Sequence, residues 1–244
     1  MAIFKSLFKR ELLGYFRSPV AYVFIIIFIL ASVGCTFFIG GLYDSDQASL
    51  NPFFMFLPWL FLVLVPAVGM RLWAEERRSG TIELLFTLPV TTATAVLAKF
   101  AAGWAFLVIG LVMTFPLIIT VNYLGSPDNG VIFGGYFASA LMAGSYLSIA
   151  SLTSAITKNQ VISFILGVVI SFFLVLVGWG LFTDVLASVF PIAVVDAIAS
   201  LGFMSHFMPM VRGVIDMRDL VYFLLVMGSC LTLNIITLDA VKAH

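Results

Sequence analysis

Charged side chains make up only 10% of the 244 residues, where a soluble domain carries about 25%. With 62% of its residues hydrophobic, the chain cannot cover itself with a polar surface, so lipid must be its solvent. Formal net charge is zero, which excludes the basic footprint of a nucleic-acid-binding protein. Cysteine is nearly absent: Cys35 and Cys230 both lie in apolar runs and imply neither a disulfide framework nor a metal site. Histidine is as rare, limited to His206 and the C-terminal His244. An intramembrane metalloprotease built on Glu75-Glu76 would need histidines in other spans to hold its metal, and a serine protease would need a base. No Gly-x-x-x-x-Gly-Lys-Ser/Thr phosphate loop occurs. The chain is expected to be no enzyme, with no catalytic residue, cofactor or metal of its own.

Long apolar runs are what the sequence does have, and they predict an all-α polytopic membrane protein forming a single domain over residues 1–244. Residues 1–17 read as an amphipathic interfacial helix. Phe4, Phe8, Leu12 and Tyr15 form its apolar stripe, and Lys5, Lys9 and Arg10 point to headgroups. The run behind it is too long for a signal-peptide core, so no cleavage is expected. Spans follow at 20–41, 53–73, 95–122, 131–156, 161–181 and 220–238. Asp44 and Asp46 mark water beyond the first. Pro58 and Pro66 predict kinks in the second, and Pro116 lies towards the far end of the third. The fourth carries small residues every four positions, Gly135, Ser139 and Ala143, then Gly144 and Ser148. That spacing predicts close packing, within the chain or between two copies. Residues 183–219 are interrupted by Pro191 and Asp196 and read as a re-entrant segment. A polar cluster of His206, Arg212, Asp216, Arg218 and Asp219 closes it, with Arg212 and Asp216 spaced to pair on one helical face.

No charge falls in the core of any predicted span: Lys99 lies near an edge, where it can snorkel, and Asp239 in the last turn. An ion-coupled carrier or channel normally keeps such a charge as relay or counter-ion, so the energy for transport is expected from outside the membrane.

Between the second and third spans, residues 75–92 read EERRSGTIELLFTLPVTT. Glu75, Glu76, Arg77 and Arg78 form the one run of four charges. Gly80 and Thr81 read as a helix start, with Glu83 near its positive end, and Pro89 as its stop. Ile82, Leu85 and Phe86 then share a face. A helix so short cannot cross a bilayer and has to dock.

This loop resembles the signature of ABC-2 type permeases, carried by the charge cluster, Gly80-Thr81, Glu83, Leu85-Phe86-Thr87, Pro89-Val90 and Lys99. The resemblance extends to the interfacial start, the six spans and the re-entrant segment. Around His206-Phe207, Arg212 to Asp216 and Arg218-Asp219, the chain is similar to the gliding-motility and copper-processing (NosY-like) branch. The family implies that residues 75–92 hold a coupling helix docked on a separate ABC ATPase, two copies per complex, which binds ATP and Mg²⁺. It implies a second permease half, either another copy or a paralogous membrane protein, and for this branch a companion with a periplasmic domain. It also implies export across a bacterial inner membrane. A non-transporting scaffold that passes force to an outer partner fits the same resemblance.

Basic residues fix the expected orientation. Six spans put Lys5, Lys9, Arg10, Arg17, Arg71, Arg77, Arg78, Lys99, Lys158 and Lys242 on the N-terminal side, and only Arg212 and Arg218 opposite. Both termini are then cytoplasmic, whereas a seventh span at Val185–Met204 would move the C-terminus across. A cysteine placed at Asp216 is expected to react with an impermeant thiol reagent from outside, and one at Lys242 only from the cytoplasm; outside labelling at Lys242 would establish an odd number of spans.

Overall fold

Pro19 makes the first corner. Its ring fixes φ and removes an N–H, which suits the first turn of a helix, and the Ser18 hydroxyl accepts a hydrogen bond from the Val20 amide at 3.3 Å. The computed structural model describes residues 2–42, 48–82 and 90–242. In it this corner separates α1 (Ala2–Arg17) from α2 (Pro19–Gly34), which a π-helical turn prolongs over Cys35–Ile39. Then come α3 (Asn51–Gly69), α4 (Arg71–Ser79), α5 (Thr92–Val112), α6 (Pro116–Leu124), α7 (Asn129–Ile156) and α8 (Gln160–Val177). The chain finishes with α9 (Gly180–Ala187), α10 (Ile192–Ala199), α11 (Phe203–Val211) and α12 (Met217–Lys242). No strand occurs among the described residues. Six helical stretches are long and apolar enough to cross a membrane: Pro19–Ile39, Asn51–Ser79, Thr92–Leu124, Asn129–Ile156, Gln160–Val177 and Met217–Lys242. The protein is an all-α polytopic membrane protein. Asp44, Asp46, Glu83, Leu85, Phe86, Pro89 and His244 lie outside the described residues.

The second span differs from its expected bounds. It does not stop at Trp73: after a break at Met70 the helix resumes as α4 and runs to Ser79, so Glu75 to Arg78 are helical rather than loop. Gly80, at φ +74°, ends it in the left-handed conformation that only glycine adopts without strain. Gly80 is thus a helix stop, and the next helical turn opens at Thr81-Ile82.

The helix α7 is the axis of the bundle and packs against α3, α4, α5, α8, α11 and α12. Gly135, Ser139, Ala143, Gly144 and Ser148 are all buried by the chain's own helices. A Cβ at Gly135 would meet the Phe54 ring, and one at Gly144 would meet the Met227 sulfur and the Trp104 indole. Their small size serves contacts within the chain. On α8 the same logic runs along Ser163, Gly167, Ser171 and Val175, its buried positions, while bulky residues face outward.

Residues 183–219 hold no straight span. The helices α10 and α11, of eight and nine residues, are bent 74° from one another, the interruption expected from Pro191 and Asp196. Gly202, at the bend, touches the backbone of Gly178 just beyond α8. Phe203 stacks on Phe223 at 6.1 Å, and the Tyr222 hydroxyl donates to the Leu201 carbonyl at 2.6 Å, both near the start of α12. The bend therefore sits at the end of the bundle away from the N-terminus, called outer below. Arg212 and Asp216 do not share a helix: α11 ends at Val211 and Gly213 turns the chain at φ +87°.

Four residues before the Met70 break stands Pro66. Across the break the Ser154 hydroxyl of α7 accepts hydrogen bonds from the Trp73 and Ala74 amides, at 3.0 and 2.9 Å, and donates to the Met70 carbonyl at 2.8 Å. Gly69 allows this approach, because a Cβ there would collide with that of Ala150. Gly69→Val is expected to lower stability by about 1–3 kcal/mol through overpacking, read as a lower melting temperature in detergent, whereas Gly69→Ala combined with Ala150→Gly should recover most of the loss of Gly69→Ala alone.

Candidate functional site

The inner rim, at the end that carries the N-terminus, gathers charges far apart in sequence. Thr91 caps α5, its hydroxyl accepting from the Thr94 amide at 3.3 Å, and two turns into that helix Lys99 faces the bundle. Its side chain is only 7% exposed. The ammonium donates to Glu76 Oε1 at 2.6 Å and to the Leu72 carbonyl at 3.1 Å, lies 3.7 Å from Glu11 Oε2, and sits 5.0 Å from the centre of the Trp73 ring. Lys99 therefore does not snorkel to a headgroup as its edge position suggested: three α4 groups and one carboxylate of α1 draw it inward. A buried ammonium is tolerated only with partners of this quality.

The rim ties four helices together. Glu11 belongs to α1, Glu76 to α4 and Lys99 to α5, while Arg77 of α4 donates through Nη1 to the Ala155 carbonyl, one residue from the end of α7. Tyr15 of α1 stacks on Phe106 of α5 at 4.9 Å. Burial raises its phenol pKa well above the ordinary value, and the nearby Glu11 carboxylate adds to the effect. Further round, the Thr92 hydroxyl donates to Asp239 Oδ1 at 2.5 Å, joining α5 to the last turns of α12. A second polar layer lies behind: Asn234 of α12 and the Trp73 indole both donate to the Ser151 hydroxyl, at 2.7 and 3.3 Å.

The expected coupling residues divide accordingly. Glu76 and Arg77 are engaged within the chain, and Glu75 and Arg78 project outward with no side-chain partner among the described residues. Ile82 is buried in the chain's own core. Thr81 is exposed, its hydroxyl 2.9 Å from that of Ser79; the amides it was expected to cap lie outside the described residues. Glu11 and Ser154 were missed by sequence reasoning. Glu11 carried a signal, as the single acid in a basic amphipathic helix; Ser154 carried none beyond the small-residue content of its span.

At the outer end the expected cluster is only partly assembled. His206 Nδ1 lies 2.7 Å from Asp219 Oδ1, and Nε2 lies 2.8 Å from the Ser200 carbonyl. The ring also stacks on Tyr222 at 4.0 Å. Arg212, Asp216 and Arg218 are exposed, and Asp216 accepts the Arg218 amide at 3.1 Å in a local turn. No group of three or more His, Cys, Asp or Glu suited to a metal occurs among the described residues.

Lys99→Met is expected to destabilise the chain strongly, on the order of 3–5 kcal/mol for a buried pair broken on one side, because Glu76 loses its counter-charge. Lys99→Met with Glu76→Gln should be the more stable of the two, with a coupling of about 0.5–3 kcal/mol in a double-mutant cycle of detergent melting.

Residues 45–233 match the family model described as ABC-2 family transporter protein. No curated protein matches the chain.

Proposed function

We propose, from the premise that the chain belongs to the ABC-2 transporter protein family, that it is the permease half of an ATP-driven exporter worked from its inner rim. The family implies an ABC ATPase as partner in general. In this reading two copies of that ATPase carry ATP and Mg²⁺, and this chain contributes neither catalysis nor cofactor. It pairs with a second permease half and sits in a bacterial inner membrane with both termini in the cytoplasm. The carrying observation is the Lys99 cluster, which binds α1, α4 and α5 into one unit, with Arg77 extending it to α7. A push on the turn after Gly80 is then delivered to the inner ends of four helices together.

A second reading is a mechanical scaffold that conducts force to a companion outside, as expected of the gliding-motility and copper-processing branch. It is favoured by the outer hairpin, where α9 buries no residue and α10 only Val195. The ion-driven alternative is weakened by the way Lys99 is held: a relay must release its partners, and this one has three besides the Trp73 ring.

The apolar positions left for docking are Leu85 and Phe86, since Ile82 is internal. Leu85→Asp with Phe86→Asp is expected to reduce the ATPase recovered with the tagged permease at least tenfold while membrane insertion is retained. Recovery at the unmodified level would remove the docking role.

A further inference from the structure

At the inner rim a cavity of about 440 Å³ opens where α1 turns into α2, within the roughly 300–1,000 Å³ range of small-ligand sites. Its walls are the end of α1, the first turns of α2, the Met70 break and one side of α5. One part is apolar, formed by Val20, Ala21, Phe24, Val68 and Phe106; the other carries Glu11, Arg71, Glu75 and Lys99. Two of these charges are already committed. Lys99 is held by Glu76, and Glu11 by Arg10 at 2.7 Å and by Lys99. The remaining two, Arg71 and Glu75, stand one turn apart on α4, both exposed, and neither has a side-chain partner among the described residues.

We propose that this cavity binds one inner-leaflet glycerophospholipid with a primary-ammonium headgroup, its phosphodiester on Arg71, its ammonium on Glu75, and its acyl chains leaving along Val20 and Phe24. The charge pattern selects the occupant. One free cation beside one free carboxylate complements a zwitterion, whereas a purely anionic headgroup would leave Glu75 unmatched beside it. A primary ammonium donates hydrogen bonds to carboxylates, which a quaternary one cannot. Depth agrees: Ser18-Pro19 is the point where the interface-lying α1 ends and the first span begins, the level of headgroups. Gly14, on the cavity wall, faces open space: a Cβ there would meet nothing within 4 Å. The lipid would bridge α1 to the break in the second span without requiring the ATPase.

The test uses the full chain in mild detergent, titrated separately with phosphatidylethanolamine, phosphatidylcholine, phosphatidylglycerol and soluble glycerophosphoethanolamine, and read by native mass spectrometry. One phosphatidylethanolamine per chain, bound at least tenfold more tightly than the other three, is the expected result. Arg71→Ala and Glu75→Ala should each weaken it about tenfold, Arg71→Lys should restore part of it, and Lys158→Ala, elsewhere on the same side, should leave it unchanged. Equal retention of phosphatidylglycerol or phosphatidylcholine would overturn the site, as would unaltered binding by Arg71→Ala and Glu75→Ala with unchanged melting temperatures. Equal affinity for the soluble headgroup would overturn the assignment to a membrane lipid.

Discussion

A backbone amide without a partner costs several kcal/mol in hydrocarbon, and the second span breaks its own ladder at Met70. One hydroxyl repairs it. Ser154 takes two amides and returns its proton to a carbonyl, so the interruption is satisfied by a neighbouring helix rather than by water. That repair demands near-contact of two backbones, hence Gly69 against Ala150. The same demand recurs along α7, where glycine, alanine and serine admit Phe54, Trp104 and Met227. The central helix is thin because the others lean on it. Their bulky residues consequently point away from it, as along α8.

Electrostatics follows from the same economy of polar groups. Few charges exist, and those inside the rim are matched almost one to one. Lys99 would be untenable in a protein interior alone; Glu76, Glu11, a carbonyl and an indole face make it a joint between helices. The outer end uses a different device, a histidine between a carboxylate and a carbonyl that holds the bent α10–α11 pair against α12. Each end thus has its own fastening, and the membrane-deep region between them relies on shape and hydroxyl groups.

The six long apolar helices, the separate N-terminal helix and the break within 183–219 were legible because hydropathy, Pro19 and Pro191 act locally. The reach of the second span was not. Four consecutive charges at Glu75 to Arg78 look like loop when read by composition, and the sequence does not say that α7 will supply carbonyl and hydroxyl partners eighty residues away. Lys99 was misjudged for a related reason: an edge lysine can reach either headgroups or a buried carboxylate, and only the placement of Glu76 and Glu11 decides. The Arg212–Asp216 spacing assumed a continuous helix that Gly213 ends. Gly135, Ser139, Ala143, Gly144 and Ser148, spaced for close packing, are buried among neighbouring helices of the same chain.

The left-handed cap at Gly80 gives α4 the character of a crank. From the Met70 break to that cap is about 15 Å at 1.5 Å per residue, so a tilt of roughly 10° would carry the tip through ~2.6 Å. Because Arg77 donates to the carbonyl of Ala155, such a swing would be shared with the final turn of α7, and a displacement no larger than one atom's width would reach the axis of the bundle.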